Sequence, residues 1–119
     1  MRVLIVDDSR LARMMLKKAL PASLATEIVE AASGTEALDH VNASQFDLML
    51  LDLTMPDRDG YQVLKTLKDI GRTPPTIVVS ADVQTLAAER VMQLGAIAFL
   101  KKSIKPDELS DVLKRAGLI

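Results

Sequence analysis

The chain has 119 residues, 49% of them hydrophobic, and no cysteine, so it has the length of one domain and enough apolar material for a core without disulfides or thiolate-bound metal. Fifteen basic and sixteen acidic side chains leave a net charge of -1, which offers none of the basic surface that nucleic acid demands. No stretch approaches the roughly 18 apolar residues of a membrane span, and the opening Met-Arg-Val-Leu-Ile-Val runs into Asp7-Asp8 without a signal-peptide cleavage site, so no membrane association and a cytoplasmic location are expected.

In chain order, Val3–Val6 is a short uncharged apolar run, the pattern of a strand buried on both faces of a parallel sheet. Ala12, Met15, Leu16, Ala19 and Leu20 then recur at i, i+3, i+4, i+7 and i+8, an apolar stripe on one helix face, with Met14 beside it and Pro21 as its stop. Glu27–Ala31 is a more mixed run, suited to a strand near a sheet edge. Ser33-Gly34-Thr35-Glu36 fits a capping box that opens a second helix through about Val41. His40, the one histidine, falls opposite that helix's apolar stripe and is expected to face solvent.

Leu48–Leu51 reads as the third strand, and Gly60 to Ile70 as a helix with Val63, Leu64 and Leu67 inward. Ile77–Val79 is the fourth strand; Ala87, Ala88, Val91 and Met92 mark a helix that Gly95 stops. Ile97–Leu100 is the fifth strand. Pro106, Asp107 and Glu108 open a last helix, since proline suits the first turn and acids the positive end of the dipole; Leu109, Val112, Leu113 and Ala116 form its stripe. The six methionines are scattered and read as packing residues rather than a copper site. Strict alternation of strand and helix argues an α/β fold, a doubly wound parallel sheet with helices on both faces. Ligands of such sheets bind beyond the carboxyl ends of the strands.

Those ends carry chemistry. The first strand ends in Asp7-Asp8, the third in Asp52, the fourth in Ser80, and Lys101-Lys102 follow the fifth. Asp7 or Asp52 alone is better read as a helix cap or turn residue, Ser80 as a helix-start hydroxyl and the lysines as solvated charges. Together they make a site. Three carboxylates in one crevice repel one another unless a cation is present, and hard oxygen ligands without histidine or cysteine suit Mg2+, or Mn2+ in its place. A carboxylate so placed can act as nucleophile and form an acyl phosphate, with lysine and hydroxyl stabilising the phosphoryl charge.

The motifs V-D-D-S (Val6 to Ser9), L-L-D-L-T-M-P-D-R-D-G (Leu50 to Gly60), V-V-S-A (Val78 to Ala81) and F-L-K-K (Phe99 to Lys102) resemble those of the CheY-like receiver domain of two-component response regulators. The resemblance covers essentially the whole chain. It implies a flavodoxin-like sheet in the order 2-1-3-4-5 and one receiver domain over residues 1–119 with no output domain. It implies that Asp52 accepts the phosphoryl group; that Asp8, Asp52 and the backbone carbonyl of Thr54 bind Mg2+, Asp7 acting through a coordinated water; that Ser80 and Phe99 switch, Ala81 leaves access, and Lys102 contacts the phosphoryl group. The implied partners are a histidine kinase or histidine phosphotransfer protein and a downstream protein met by helix four, strand five and helix five, in chemotaxis or phosphorelay signalling. Nucleic acid is not an implied partner, and the expected state is a monomer or weak dimer. Slow self-dephosphorylation is implied, but not turnover catalysis.

Two positions depart from the family. Ser103 follows Lys102 where relatives usually carry proline, so a trans peptide is expected there. Phe99 stands where many relatives have tyrosine and lacks its hydroxyl. A phosphatase with an aspartate nucleophile is the competing enzymatic reading, but Thr54 occupies the position where its general-acid aspartate would stand. A receiver-like binding module that is never phosphorylated is the other alternative, disfavoured by the intact acidic and lysine positions.

Overall fold

In the computed structural model, which describes residues 1–24, 27–81 and 86–119, strand and helix alternate throughout. The elements are β1 (Arg2–Val6), α1 (Arg10–Ala19), β2 (Glu27–Ala31), α2 (Gly34–Ala43), β3 (Leu48–Leu51), α3 (Gly60–Ile70), β4 (Thr76–Ser80), α4 (Ala87–Gln93), β5 (Ala98–Lys101) and α5 (Pro106–Arg115). The strands form one parallel sheet in the order β2-β1-β3-β4-β5. Mixed β2 is an edge strand, as its composition indicates.

The apolar runs lack alternation because both faces of the sheet are covered. Val3, Ile5, Leu48, Leu50, Ile77 and Val79 point to one side and pack with Leu16 and Leu20 at α1 and with Leu109 and Leu113 of α5. Leu4, Val6, Met49, Leu51 and Val78 point to the other and pack with side chains of α2, α3 and α4, among them Val41, Leu64 and Val91. Each large side chain so buried contributes about 1.5–3 kcal/mol of transfer free energy. A one-residue slip in any central strand would exchange the two faces, and the resulting constraint on register aligns the strand ends.

Local chemistry sets the boundaries. Ser9 caps α1 by accepting from Ala12 N–H, and α1 ends before Pro21. Asp59 and Gln62 form a complete capping box on α3, whose end is marked by Gly71 in the left-handed region (φ 69°). At α2, Ser33 accepts from Glu36 N–H as expected, but the Glu36 carboxylate reaches one residue further back, to Ala32 N–H at 2.7 Å. Three stripe assignments are corrected by burial. Met15 is 50% exposed and Met92 46%, because the narrow face of each helix against the sheet is filled by Leu16, Ala19, Ala87 and Val91. Ala116 is the exposed C-cap of α5. His40 is half-buried in the last turn of α2 rather than fully solvent-facing. Among the described residues no helix is long and apolar enough to cross a membrane.

Gly60 is where the fold is tightest. A Cβ there would lie 2.5 Å from the Asp52 carbonyl oxygen and 2.9 Å from Leu53 Cα, and its N–H donates to Leu53 O at 3.0 Å. The first turn of α3 thus rests directly on the backbone behind Asp52. Gly60→Ala is expected to cost about 3 kcal/mol in urea unfolding, since the clashing atoms are main chain and cannot rotate away. Gly71→Ala, with open space around it, is expected to cost only the roughly 1 kcal/mol of its left-handed backbone; equal losses at the two sites would contradict the close packing.

Candidate functional site

Register builds the site. Val6 pairs with Leu51, and Leu51 with Val78, so Asp7 and Asp52, each one residue beyond its strand, emerge side by side. Ser80 pairs with Lys101, which puts Lys102 one step past β5 on the same edge. Backbone bonds extend the ladder across this rim: Asp7 N–H donates to Ala31 O at 3.1 Å, Asp52 N–H to Val6 O at 2.9 Å, and Lys102 N–H to Ser80 O at 2.9 Å.

Asp7 is fully buried and Asp52 is 4% exposed, while Asp8 lies open to solvent. One carboxylate oxygen from each of the three lies within 4.8 Å of the others. Asp7 accepts from Ser9 N–H at 2.9 Å through Oδ1 and from Lys102 Nζ at 2.7 Å through Oδ2. The same ammonium stands 3.5 Å from Asp52 Oδ1. Burial first, and the charge of Asp7 second, push the Asp52 carboxyl above its ordinary range, with Lys102 and a hydrogen bond from the Thr54 backbone pulling the other way. Burial pulls Lys102 down, but the hydrogen bond to Asp7 and the charge of Asp52 outweigh it and leave the ammonium more firmly protonated than usual.

Two buried carboxylates, Asp7 and Asp52, therefore share one lysine charge, with the exposed Asp8 carboxylate beside them. The donor set is all oxygen, without histidine or cysteine, partly buried and open on the Asp8 side. It fits a small hard dication such as Mg2+, which would supply the missing positive charge. Thr54, whose carbonyl the family resemblance implies as a further ligand, lies exposed in the loop after Asp52.

The other expected residues lie at or near this edge. Ser80 is fully buried at the end of β4, and Ala81 follows it exposed. Phe99, in β5 opposite Val78, is half-buried against the core on the α2, α3 and α4 side. The Lys102–Ser103 peptide is cis, contrary to the trans expectation. Lys102 itself is held through its N–H by Ser80 O and through its ammonium by Asp7.

Three residues near the site have no role assigned from sequence, although Asp57 lies within the Leu50 to Gly60 motif. Arg13 donates to the Asp7 carbonyl at 2.7 Å and to Glu30 Oε1 at 2.9 Å, locking the end of β1 to α1 and β2. Lys17 also pairs with Glu30, at 2.7 Å, and its hydrogen bond is the main reason the Glu30 carboxyl sits below its ordinary range. Asp57 bonds to the start of α2, and Gly34 makes room for the loop that carries it. In sequence these three read as ordinary helix-face or turn residues, because their partners lie 6 to 23 positions away.

Comparison with known proteins agrees with this geometry. The response regulator receiver domain family matches residues 3–114. The chain is similar to the chemotaxis protein CheY of Bacillus subtilis (strain 168), 32% identical over 96% of this chain and 95% of that protein. It is also similar to sporulation initiation phosphotransferase F of the same organism, 32% identical over 96% of this chain and 91% of its relative. Among solved structures, a CheY-like response regulator receiver domain protein from Methanospirillum hungatei JF-1 superposes with a TM-score of 0.85, at 26% identity over 97% of this chain and 91% of that chain. With its strand order, its aspartate cluster and this match over nearly its full length, the chain belongs to the CheY-like response regulator receiver domains of two-component signalling.

Proposed function

We propose that Asp52 is the phosphoacceptor of this receiver domain and takes its phosphoryl group from the phosphohistidine of a histidine kinase or histidine phosphotransfer protein in a Mg2+-dependent step. One observation carries the reading: a buried carboxylate, destabilised by its own burial and by Asp7, faces both a lysine ammonium and an open all-oxygen metal cradle. In the proposed step a carboxylate oxygen of Asp52 bonds to phosphorus while the phosphorus–nitrogen bond to the donor imidazole breaks. The leaving electron pair stays on that nitrogen, and the product is an acyl phosphate.

Asp8, Asp52 and the Thr54 carbonyl would hold Mg2+, with Asp7 acting through water. When bound, the ion supplies charge neutralisation for the phosphoryl oxygens. Lys102 is already protonated and already on the Asp52 side of the crevice, so it can turn from the carboxylate to a phosphoryl oxygen without a change in protonation. Asp7, bonded by both Ser9 and Lys102, orients that lysine. Ala81 keeps the entry narrow-walled but accessible, since its side chain is one methyl group.

Phosphorylation adds charge and strong acceptor oxygens at the rim of the sheet. The Ser80 hydroxyl moves toward them, and Phe99 follows inward into the space released. The face of α4, β5 and α5 thereby shifts between two populations and is recognised by a downstream protein. Receiver domains are signalling proteins rather than turnover enzymes, and hydrolysis of the acyl phosphate serves here to reset the switch. The phosphatase reading is weaker because Thr54, an exposed residue with no acidic proton, stands where a general acid is required. Similarity to a chemotaxis protein and to a sporulation phosphotransferase supports a role in chemotaxis or a phosphorelay.

Asp52→Asn is expected to abolish labelling by acetyl phosphate in the presence of Mg2+, measured by intact mass. Stoichiometric labelling of that variant would overturn the assignment. Beryllofluoride, which mimics the phosphoryl group, is expected to shift amide resonances of Ser80 and of Phe99 through Lys102 in a heteronuclear NMR spectrum. Shifts confined to residues 52–60 would refute the switch surface while leaving the acceptor untouched.

A further inference from the structure

The loop from Asp52 to Gly60 carries the nucleophile at one end and, in the proposed function, a backbone metal ligand at Thr54. Its two ends are pinned by Asp52 N–H to Val6 O at 2.9 Å and Gly60 N–H to Leu53 O at 3.0 Å. Within it, Leu53 and Met55 are buried, which leaves Thr54 outward between them. The stretch from Pro56 to Arg58 has no buried side chain to hold it.

What holds it is Asp57. Its Oδ1 accepts from Gly34 N–H at 3.1 Å and its Oδ2 from Thr35 N–H at 3.0 Å. These are donors of the first turn of α2 that have no partner within the helix. The Thr35 side chain, together with the backbone N–H groups around it, holds the Asp57 carboxyl far below the ordinary carboxylate range. Charge-assisted bonds to a helix N-terminus are favourable even in solvent, because the dipole and the donors act together. The helix itself leaves room for the loop: a Cβ on Gly34 would lie 2.7 Å from both Arg58 Cβ and Arg58 O. Loop and helix start are therefore in direct contact as well as bonded.

α2 does not need Asp57 alone for its first turn. Ser33 Oγ accepts from Glu36 N–H at 3.1 Å and Glu36 accepts from Ala32 N–H at 2.7 Å. The chain thus caps α2 from two directions, and only one cap reaches into the site loop.

We propose that Asp57 is a positioning residue of the phosphoacceptor site, clamping the Asp52 loop to the first turn of α2 so that the Thr54 peptide is held with its N–H on the Asp52 carboxylate and its carbonyl free to meet a divalent cation. The proposal rests on the metal reading given under Proposed function. It predicts that loss of the clamp weakens cation binding about tenfold, the scale on which residues that orient metal ligands act, without removing any ligand.

Ser33→Ala is the control, because it uncaps the same turn of α2 and leaves the loop clamp intact. Mg2+ is titrated into wild type, Asp57→Ala, Asp57→Asn and Ser33→Ala by heteronuclear NMR, and amide hydrogen exchange at Thr54 is read in metal-free protein. Expected are a dissociation constant about tenfold higher and faster Thr54 exchange in Asp57→Ala, an intermediate effect in Asp57→Asn, which keeps one acceptor oxygen, and neither change in Ser33→Ala. Equal Mg2+ affinity in wild type and Asp57→Ala, or equal losses in Asp57→Ala and Ser33→Ala, would overturn the proposal. Absence of any Mg2+-dependent shift in wild type would instead overturn the metal reading, and this inference with it.

Discussion

Lys102 stands between two buried carboxylates, 2.7 Å from Asp7 and 3.5 Å from Asp52, and the rest of the structure is arranged so that this one cation is not enough. Burial costs each charged group several kcal/mol, and a buried ion pair seldom exceeds in stability the apolar side chains that could replace it. Burial first, and Asp7 second, raise the Asp52 carboxyl despite the neighbouring lysine. The imbalance is the functional property. In the function proposed above it leaves room for the charge that a hard dication would bring, and it would keep a poorly solvated carboxylate available as nucleophile for an incoming phosphoryl group.

Such a cluster survives only on a rigid base. The apolar strands β1, β3 and β4 are buried on both faces, and in their observed register their ends deliver Asp7, Asp52 and Ser80 to one rim. The backbone behind Asp52 is braced by Gly60 and by the first turn of α3. Arg13 bonds to the Asp7 carbonyl on one side of the crevice, and Asp57 ties the far part of the loop after Asp52 to α2 on the other. Asp7 and Asp52 thus sit between two sets of charged contacts, each anchored to the beginning or face of a helix.

Much of this was legible in residue order alone, and the reasons are physical. Leu48–Leu51 and Ile77–Val79 announce doubly buried strands because an uncharged run has no solvent-facing side. Strand ends announce the site because parallel sheets expose their carboxyl edges, so Asp7, Asp52, Ser80 and Lys102 converge wherever the strands do. What escaped was set by side-chain packing and by the choice among competing hydrogen-bond partners, near and far in sequence. Met15 matches the helical period but is displaced outward by Leu16 and Ala19, which fill the narrow contact with the sheet. Glu36 passes over the expected Ser33 N–H for Ala32 N–H. The Lys102–Ser103 peptide is cis without proline, which no local preference in the sequence indicates. Asp57 looks like a turn residue in the run Asp57-Arg58-Asp59-Gly60 until α2 is placed beside it.

The central claim is chemical: a carboxylate at position 52 forms the acyl phosphate. It is tested most directly by phosphorylating the protein with acetyl phosphate and Mg2+, reducing with borohydride, and locating the product by peptide mass spectrometry. An acyl phosphate on Asp52 is reduced to homoserine at that position, and the account predicts homoserine at position 52 alone. Homoserine at Asp7 or Asp8, or phosphate retained on a serine or threonine hydroxyl after reduction, would contradict it.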